Sequence, residues 1–90
     1  MTRFRKLPVE IEAVQFTGDY SSELHDFAEN NFMLIDEVDR DSDSDIIAEV
    51  YDKLHSTWVG VKKNQWVIKG FFGEFYPCDP DVFRATYEEV

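Results

Sequence analysis

The stretch that decides the fold is IIAEVYDKLHSTWVGVKKNQWVIKG, residues 46–70. It contains three segments rich in β-branched and aromatic residues, IIAEVYD, STWVGVKK and QWVIKG, and the short polar breaks KLH and KNQ separate them. Segments of this composition favour strands, and short polar breaks between them favour hairpin connections. The stretch therefore predicts an antiparallel meander of three strands.

A further strand is predicted upstream, in PVEIEAVQFT, residues 8–17. Pro8 marks its start, and apolar and polar residues alternate as far as Ala13. The apolar phase then shifts at Val14 and Phe16. A shift of this kind indicates a β-bulge within the strand.

The next segment, GDYSSELHDFAENNF (residues 18–32), predicts a turn followed by a short amphipathic helix. Ser21 or Ser22 can cap the helix start, and Asn30–Asn31 can end it. The apolar positions that fall near one helical face are Leu24, Phe27, Ala28 and Phe32. His25 flanks this stripe, so a partly buried structural histidine is expected there.

Downstream of the central stretch, the glycines of GFFG (70–73) predict a tight turn before a last strand, EFYPC (74–78). Asp79 is a good N-cap, and it precedes a proline suited to the first helical position. A single helical turn is therefore predicted over Pro80–Phe83. The alternating tail ATYEEV (85–90) is expected to rejoin the sheet.

The length and composition allow one small domain, residues 1–90, with a hydrophobic core. The chain has 90 residues, of which 43% are hydrophobic and 16% aromatic, so disorder throughout is excluded. The predicted fold class is α+β: an antiparallel sheet of about five strands, one amphipathic helix packed on it, and a short C-terminal helical turn.

The formal net charge of −10 disfavours direct binding to nucleic acid, because phosphates are bound by Lys and Arg. Such a charge suits a basic partner protein, and a purely solubilising acidic surface is the alternative. Three basic residues, Arg3, Arg5 and Lys6, cluster apart from most of the acid. The residues of the predicted partner-binding acidic surface are Asp36, Glu37, Asp39, Asp41, Asp43, Asp45, Glu49 and Asp52.

The alternating aspartates raise the question of a calcium loop. Asp41, Asp43, Asp45, Glu49 and Asp52 occupy positions 1, 3, 5, 9 and 12 of such a loop. However, Ile46 stands where the sharp turn needs glycine, and the segment that follows is typical of a strand. A solvated hairpin loop is therefore expected, and no metal site.

Catalysis by Cys78, the only cysteine, is not expected. Asp79 and Asp81 raise the pKa of a neighbouring thiol, and no motif links the cysteine to a histidine. Cys78 also has no partner for an internal disulfide, and no segment has the pattern of a signal peptide or a membrane span. These patterns predict a cytoplasmic, non-enzymatic protein without a cofactor.

Aromatic residues of the C-terminal third supply a second candidate site, for a small planar or anionic ligand. Its residues are Trp66, Lys69, Phe71, Phe72, Tyr76 and Arg84. The alternative is that the aromatic residues Trp66, Phe75 and Phe83 belong to the core.

Two segments resemble a family of small proteins encoded by bacteriophages and prophages. They are RKLPVEIEAVQFTG (5–18) and QWVIKGFFGEFYPCDPDVFRATYEEV (65–90), and the second carries the family pattern W-x-I-x-G-x-x-G-E-F-Y-P-C-x-P-D-[IV]-F. The chain departs from the pattern at Asn64–Gln65, which replace Gly-Asp, and at Phe72 and Asp79, which replace lysines. These two lysine losses weaken the case for an anionic ligand.

The resemblance implies phage origin and action in the cytoplasm of an infected host bacterium. The leading hypothesis is a non-catalytic accessory protein that inhibits a host factor, such as an antiviral defence component, through an acidic surface that mimics nucleic acid. Its partner is then a host bacterial protein with a basic surface. The alternatives are a sponge for a small nucleotide-type defence signal and a structural or scaffold phage protein; a homo-oligomer is compatible with each.

Overall fold

The computed structural model describes residues 1–90 and contains six strands and two α-helices. The strands are β1 (Glu12–Gln15), β2 (Phe32–Leu34), β3 (Ile46–Asp52), β4 (Thr57–Lys62), β5 (Trp66–Lys69) and β6 (Phe75–Cys78). The helices are α1 (Ser22–Ala28) and α2 (Pro80–Thr86), and 3-10 turns cover Glu29–Asn31 and Glu37–Asp39. The predicted α+β class is confirmed. Neither helix has the length and apolar character needed to cross a membrane.

The strands form two antiparallel sheets of three strands, with the orders β1-β5-β6 and β2-β3-β4. The prediction of one sheet with about five strands is therefore wrong. The β3–β4 and β5–β6 hairpins form, but β4 and β5 lie in different sheets. The chain changes sheet at Asn64, which has a φ of 76° and donates its N–H to the Phe16 carbonyl at 2.6 Å. This bond draws the chain toward β1.

The main core unites both sheets and α1. Phe16 and Phe32 pack edge to face with ring centroids 5.2 Å apart, and Phe27 on α1 packs against Phe75 at 5.5 Å. The residues of this core are Val14, Phe16, Leu24, Ala28, Phe32, Ala48, Val50, Val61, Val67 and Phe75. Burial of these side chains supplies the main driving force for folding.

Helix α2 packs against the opposite face of the β1-β5-β6 sheet at Trp66. Val67 points into the main core, so its neighbours Trp66 and Ile68 point the other way. The Trp66 ring stacks on Phe83 of α2, with centroids 4.3 Å apart and planes 7° from parallel. Ile68 is fully buried in this second layer. Both faces of the sheet therefore carry apolar side chains.

The apolar side chains on both faces explain why the predicted bulge in β1 is wrong. The register of β1 against β5 is continuous, and residues 8–11 precede the strand. Val14 and Phe16 belong to the main core, whereas Ile11 and Ala13 lie on the α2 side. The shift in apolar phase therefore marks a strand with two apolar faces. The irregularity in pairing occurs in β3, between Ile46 and Ala48.

The predicted start of α1 is confirmed, because the Leu24 N–H donates to the Ser21 hydroxyl at 3.1 Å. The expectation of a partly buried His25 is wrong. Its side chain is 66% exposed and contacts Asp26 and the edge of Tyr20. His25 follows the buried Leu24 by one residue, and adjacent residues on a helix point in different directions.

The C-terminal helical turn is longer than predicted, and the tail does not rejoin a sheet. Helix α2 continues to Thr86, whose hydroxyl donates to the Val82 carbonyl at 2.7 Å. Tyr87 then ends the helix, with its N–H bonded to the Phe83 carbonyl. Tyr87 of this tail instead packs against Phe83, one helical turn before it.

Candidate functional site

The acidic loop (residues 36–45) connects β2 to β3, which are antiparallel neighbours, so the predicted hairpin loop is confirmed. Hydrogen bonds between side chains and backbone fix the conformation of this loop. The Arg40 Nε donates to the Ile35 carbonyl at 2.9 Å, and the Asp43 N–H donates to the Asp41 carboxylate at 2.9 Å. The Ile46 N–H donates to the Ser44 hydroxyl at 3.1 Å. The loop therefore has a defined conformation.

Six carboxylates of the acidic loop are exposed, and none takes part in an ion pair. These residues are Asp36, Glu37, Asp39, Asp41, Asp43 and Asp45. Arg40 is the only base in the loop, and its Nε is bonded to a backbone carbonyl. The loop therefore presents six unpaired carboxylates to solvent, and the one guanidinium offsets only a small part of their charge. No three His, Cys, Asp or Glu side chains of the structure converge as metal ligands do.

Two other members of the predicted acidic surface lie elsewhere. Glu49 is half-buried on the outer face of β3, opposite Met33 on β2 and Gly60 on β4. Asp52 is buried at the β3–β4 turn, where its carboxylate accepts the N–H groups of Leu54 and His55. Placing Asp52 on the partner-binding surface was wrong, because its carboxylate is fully engaged in shaping this turn.

His55 completes the interactions of Asp52. The His55 Nδ1 lies 2.6 Å from the second Asp52 carboxylate oxygen. This side-chain hydrogen bond lowers the pKa of Asp52, and the backbone N–H of Leu54 lowers it further, while burial opposes them. The sequence DKLH carries a signal for this role, because an aspartate that starts a turn commonly bonds the backbone two residues later.

The six residues of the predicted ligand site do not line one pocket. Trp66 lies on the α2 side of the sheet, as does Tyr76, which pairs with the buried Ile68. Lys69 lies on the other face, opposite Glu12 and Phe75. Because a strand rises about 3.3 Å per residue, the turn that carries Phe71 lies roughly 16 Å from Trp66.

Phe71 and Phe72 project from the aromatic turn (residues 70–73). They are 76% and 67% exposed, and their rings meet edge to face with centroids 5.1 Å apart. The turn is held by Glu74, which accepts the Phe72 N–H on its carboxylate at 3.0 Å and the Gly70 N–H on its carbonyl at 2.7 Å. Gly73 has a φ of 80°, a conformation that favours glycine.

Neither Arg84 nor Tyr76, two members of the predicted ligand site, offers an unpaired charge to a ligand. Arg84 forms an ion pair with Asp81 on the same helix. Burial, together with the adjacent Tyr87 hydroxyl, raises the pKa of Tyr76 to about 12. The Tyr76 hydroxyl therefore stays neutral at physiological pH.

A groove of about 640 Å³ runs between residues 8–13 and α2. We call it the α2 groove. Trp66, Phe83 and Tyr87 contribute aromatic surface, and the carboxylates are Glu10, Glu88 and Glu89. Its other lining residues are Pro8, Val9, Ile11, Ala13, Thr86 and Val90. No Lys or Arg lines the groove, so it suits an apolar or cationic group.

Sequence reasoning missed the α2 groove, apart from Trp66. Its two walls come from opposite ends of the chain, and only the packing of α2 on the sheet brings them together. The apolar residues at positions 9, 11 and 13 were the available signal, because they form a row on one face of an extended segment.

Cys78 has the environment of an inactive thiol. It is half-buried, and its Sγ lies 3.6 Å from the Asp79 carbonyl, to which the thiol donates. Burial raises the pKa of Cys78, the Asp79 carboxylate raises it further, and Lys6 lowers it. The thiol form, which is the weaker nucleophile, therefore predominates near neutral pH.

No protein-family model, curated protein or solved structure matches this chain. The candidate surfaces therefore rest on geometry alone. The acidic loop is an ordered array of carboxylates without ion-pair partners, and the α2 groove is an apolar cleft with carboxylates beside it.

Proposed function

We propose that this chain is a non-catalytic phage accessory protein that inhibits a host factor, such as an antiviral defence component. In this proposal the acidic loop docks onto a basic, nucleic-acid-binding surface of the host protein and occupies it. The observation that carries the proposal is the set of six exposed loop carboxylates, none of which is paired with a base.

The charge of the loop suits it to this role. Lysines and arginines that bind phosphates also attract carboxylates, and a protein with a net charge of −10 is steered toward them over several ångströms. The hydrogen bonds of Arg40, Asp41 and Ser44 order the loop in advance. A loop that is already ordered loses less conformational entropy when it binds.

The nucleotide sponge has less support from the geometry. Its proposed cations are separated, since Lys69 lies on the face of the sheet away from Trp66 and Arg84 is paired with Asp81. The α2 groove has the volume for a small ligand, but Glu10, Glu88 and Glu89 repel phosphate. A structural or scaffold protein does not need the acidic loop to bind a basic host protein. The experiment below tests for that binding and so separates the scaffold alternative from inhibition.

The experiment compares two variants of equal net charge as baits in lysate from infected host bacteria. The loop variant carries Asp39→Asn, Asp41→Asn, Asp43→Asn and Asp45→Asn. The control variant carries Asp19→Asn, Glu23→Gln, Asp26→Asn and Glu29→Gln, all exposed positions on or near α1. We expect the wild type and the control to capture the same basic host protein, and the loop variant to lose it.

Salt and competing DNA complete the test. Raising the salt from about 0.05 M to about 0.5 M shortens the range of electrostatic attraction severalfold, so the complex should dissociate. Duplex DNA should displace the phage protein from its partner. A complex that survives loop neutralisation, or whose affinity is unchanged by salt, would contradict the proposal.

A further inference from the structure

The basic arm (residues 1–7) is exposed along its whole length and has no secondary structure. Phe4 stands between Arg3 and Arg5, and its side chain is 92% exposed. An aromatic side chain flanked by two bases is the kind of group that anchors a protein interface, because its burial removes apolar surface from water while the flanking charges fix its orientation.

The α2 groove complements this arm in shape and charge. Trp66 and Phe83 offer aromatic surface for a phenyl ring, and a volume of about 640 Å³ exceeds what a single phenylalanine side chain needs. The carboxylates of Glu10, Glu88 and Glu89 balance the three bases of the arm. No Lys or Arg lines the groove, and the one base at its edge is Lys6 of the same copy, which lies over Tyr87.

The arm leaves the fold beside its own groove without filling it. The Lys6 Nζ lies over the Tyr87 ring, 4.9 Å from its centroid, and Pro8 and Val9 form part of the groove wall. Pro8 disfavours a helical conformation at the preceding Leu7 and so favours an extended one. Phe4 would therefore have to double back over the segment that walls the groove in order to enter it.

The same geometry favours a second copy as the occupant. Seven extended residues reach about 23 Å, which is close to the shorter dimensions of the molecule, 31 and 25 Å. Because each arm starts beside a groove, two copies related by a twofold axis can exchange arms reciprocally. Each contact would then be made twice.

We propose that the α2 groove binds the basic arm of a second copy of this chain, with Phe4 seated against Trp66 and Phe83, so that reciprocal arm exchange forms a homodimer. The bases Arg3 and Arg5 then meet Glu88 and Glu89 of the other copy. This dimer does not use the acidic loop, so it stands or falls independently of the proposed function.

The test measures the molar mass in solution by sedimentation equilibrium over a concentration series. We expect a concentration-dependent dimer that Phe4→Ala weakens by about tenfold or more, as removal of an aromatic anchor does. Val38→Ala, at a side chain of the acidic loop that is 90% exposed, is the matched control and should leave the dimer unchanged. Because Phe4 is exposed in the single copy, its replacement leaves the fold intact.

Charge reversal gives a sharper result. One variant carries Arg3→Glu and Arg5→Glu, and the other carries Glu88→Arg and Glu89→Arg. Each alone places like charges in contact and should be monomeric, whereas the equimolar mixture should form a heterodimer, since both arm and groove pairs are then complementary. A wild type that is monomeric at all concentrations, or a dimer that persists when residues 1–7 are deleted, would overturn the proposal.

Discussion

Gly70 begins the aromatic turn, and the Glu74 side chain occupies the space beside it where a Cβ atom would lie. A Cβ atom added at Gly70 would lie 1.8 Å from the Glu74 Oε1, and Glu74 is buried. We expect Gly70→Ala to lower the free energy of unfolding by about 1–3 kcal/mol, because the carboxylate must move and release the Phe72 N–H. Urea denaturation followed by circular dichroism measures this change.

The neighbouring residue provides the control for Gly70. Lys69→Ala changes an exposed side chain and should alter the free energy of unfolding by less than about 0.5 kcal/mol. In the double variant Gly70→Ala with Glu74→Ala the clash is absent, so the combined loss should be smaller than the sum of the two single losses. Additive losses would show that the clash is not the cause.

The Asp52–His55 pair should make stability depend on pH in the acid range. The hydrogen bond from His55 lowers the pKa of Asp52 below its ordinary value of 3.8. Its contribution to stability is therefore present above about pH 4 and is lost as the pH falls through the lowered pKa. Between about pH 5 and pH 2, thermal unfolding should show a steeper loss of stability for the wild type than for Asp52→Asn.

The control for this pH effect is Asp39→Asn, which removes an exposed carboxylate that has no ion-pair partner. The stability of Asp39→Asn should depend on pH in the same way as the stability of the wild type. If Asp52→Asn also shows this pH dependence, the Asp52–His55 bond does not contribute to the acid response.

At the scale of elements, α2 depends on the stack of Phe83 on Trp66. We expect Phe83→Ala to lower the free energy of unfolding by about 2 kcal/mol, since a half-buried aromatic contact and its stacking are lost. Val82→Ala on the exposed side of the same helix should change it little. Near-ultraviolet circular dichroism should report the altered Trp66 environment in Phe83→Ala alone.

The individual hairpins and helices could be predicted from the sequence because their determinants are local. The KLH break between β3 and β4, the Gly70 and Gly73 turn, and the Ser21 cap each act within a few residues. The division into two sheets could not be predicted. It follows from the pairing of β1 with β5, which joins residues far apart in the chain, and strand propensity does not say which strands pair.

The candidate sites show the same contrast. The acidic loop could be predicted, because its residues are consecutive and charged side chains of a solvated loop remain exposed. The α2 groove could not, because it exists only when α2 packs on the sheet. The burial of Asp52 was missed because a charge pattern does not show which carboxylate a turn will use.

The net charge of the whole molecule should make its stability depend on salt. Repulsion among 19 acidic residues opposes compaction, and nine bases offset it only in part. We expect the urea midpoint of the wild type to rise when sodium chloride is raised from about 0.02 M to about 0.2 M, since screening weakens the repulsion.

The loop variant with four Asp→Asn changes should gain less from the same salt, because its formal charge is less negative. Its urea midpoint at low salt should also exceed that of the wild type. Equal salt responses in the two proteins would show that the acidic loop does not contribute to the repulsion. Measurements at fixed pH, and at a protein concentration low enough to keep the protein monomeric, separate this effect from self-association.

The pairing of β1 with a strand near the other end of the chain affects when β1 can fold during synthesis. β1 pairs only with β5, so residues 12–15 find their hydrogen-bond partners when residues 66–69 become available. During synthesis β1 leaves the ribosome before β5 has been made, so it stays unpaired until most of the chain has followed. The β2-β3-β4 sheet, by contrast, is continuous in sequence and can pair in order of emergence. Val14 and Phe16 are therefore the core residues with the longest exposure before burial, and a chaperone that binds apolar segments would meet them first.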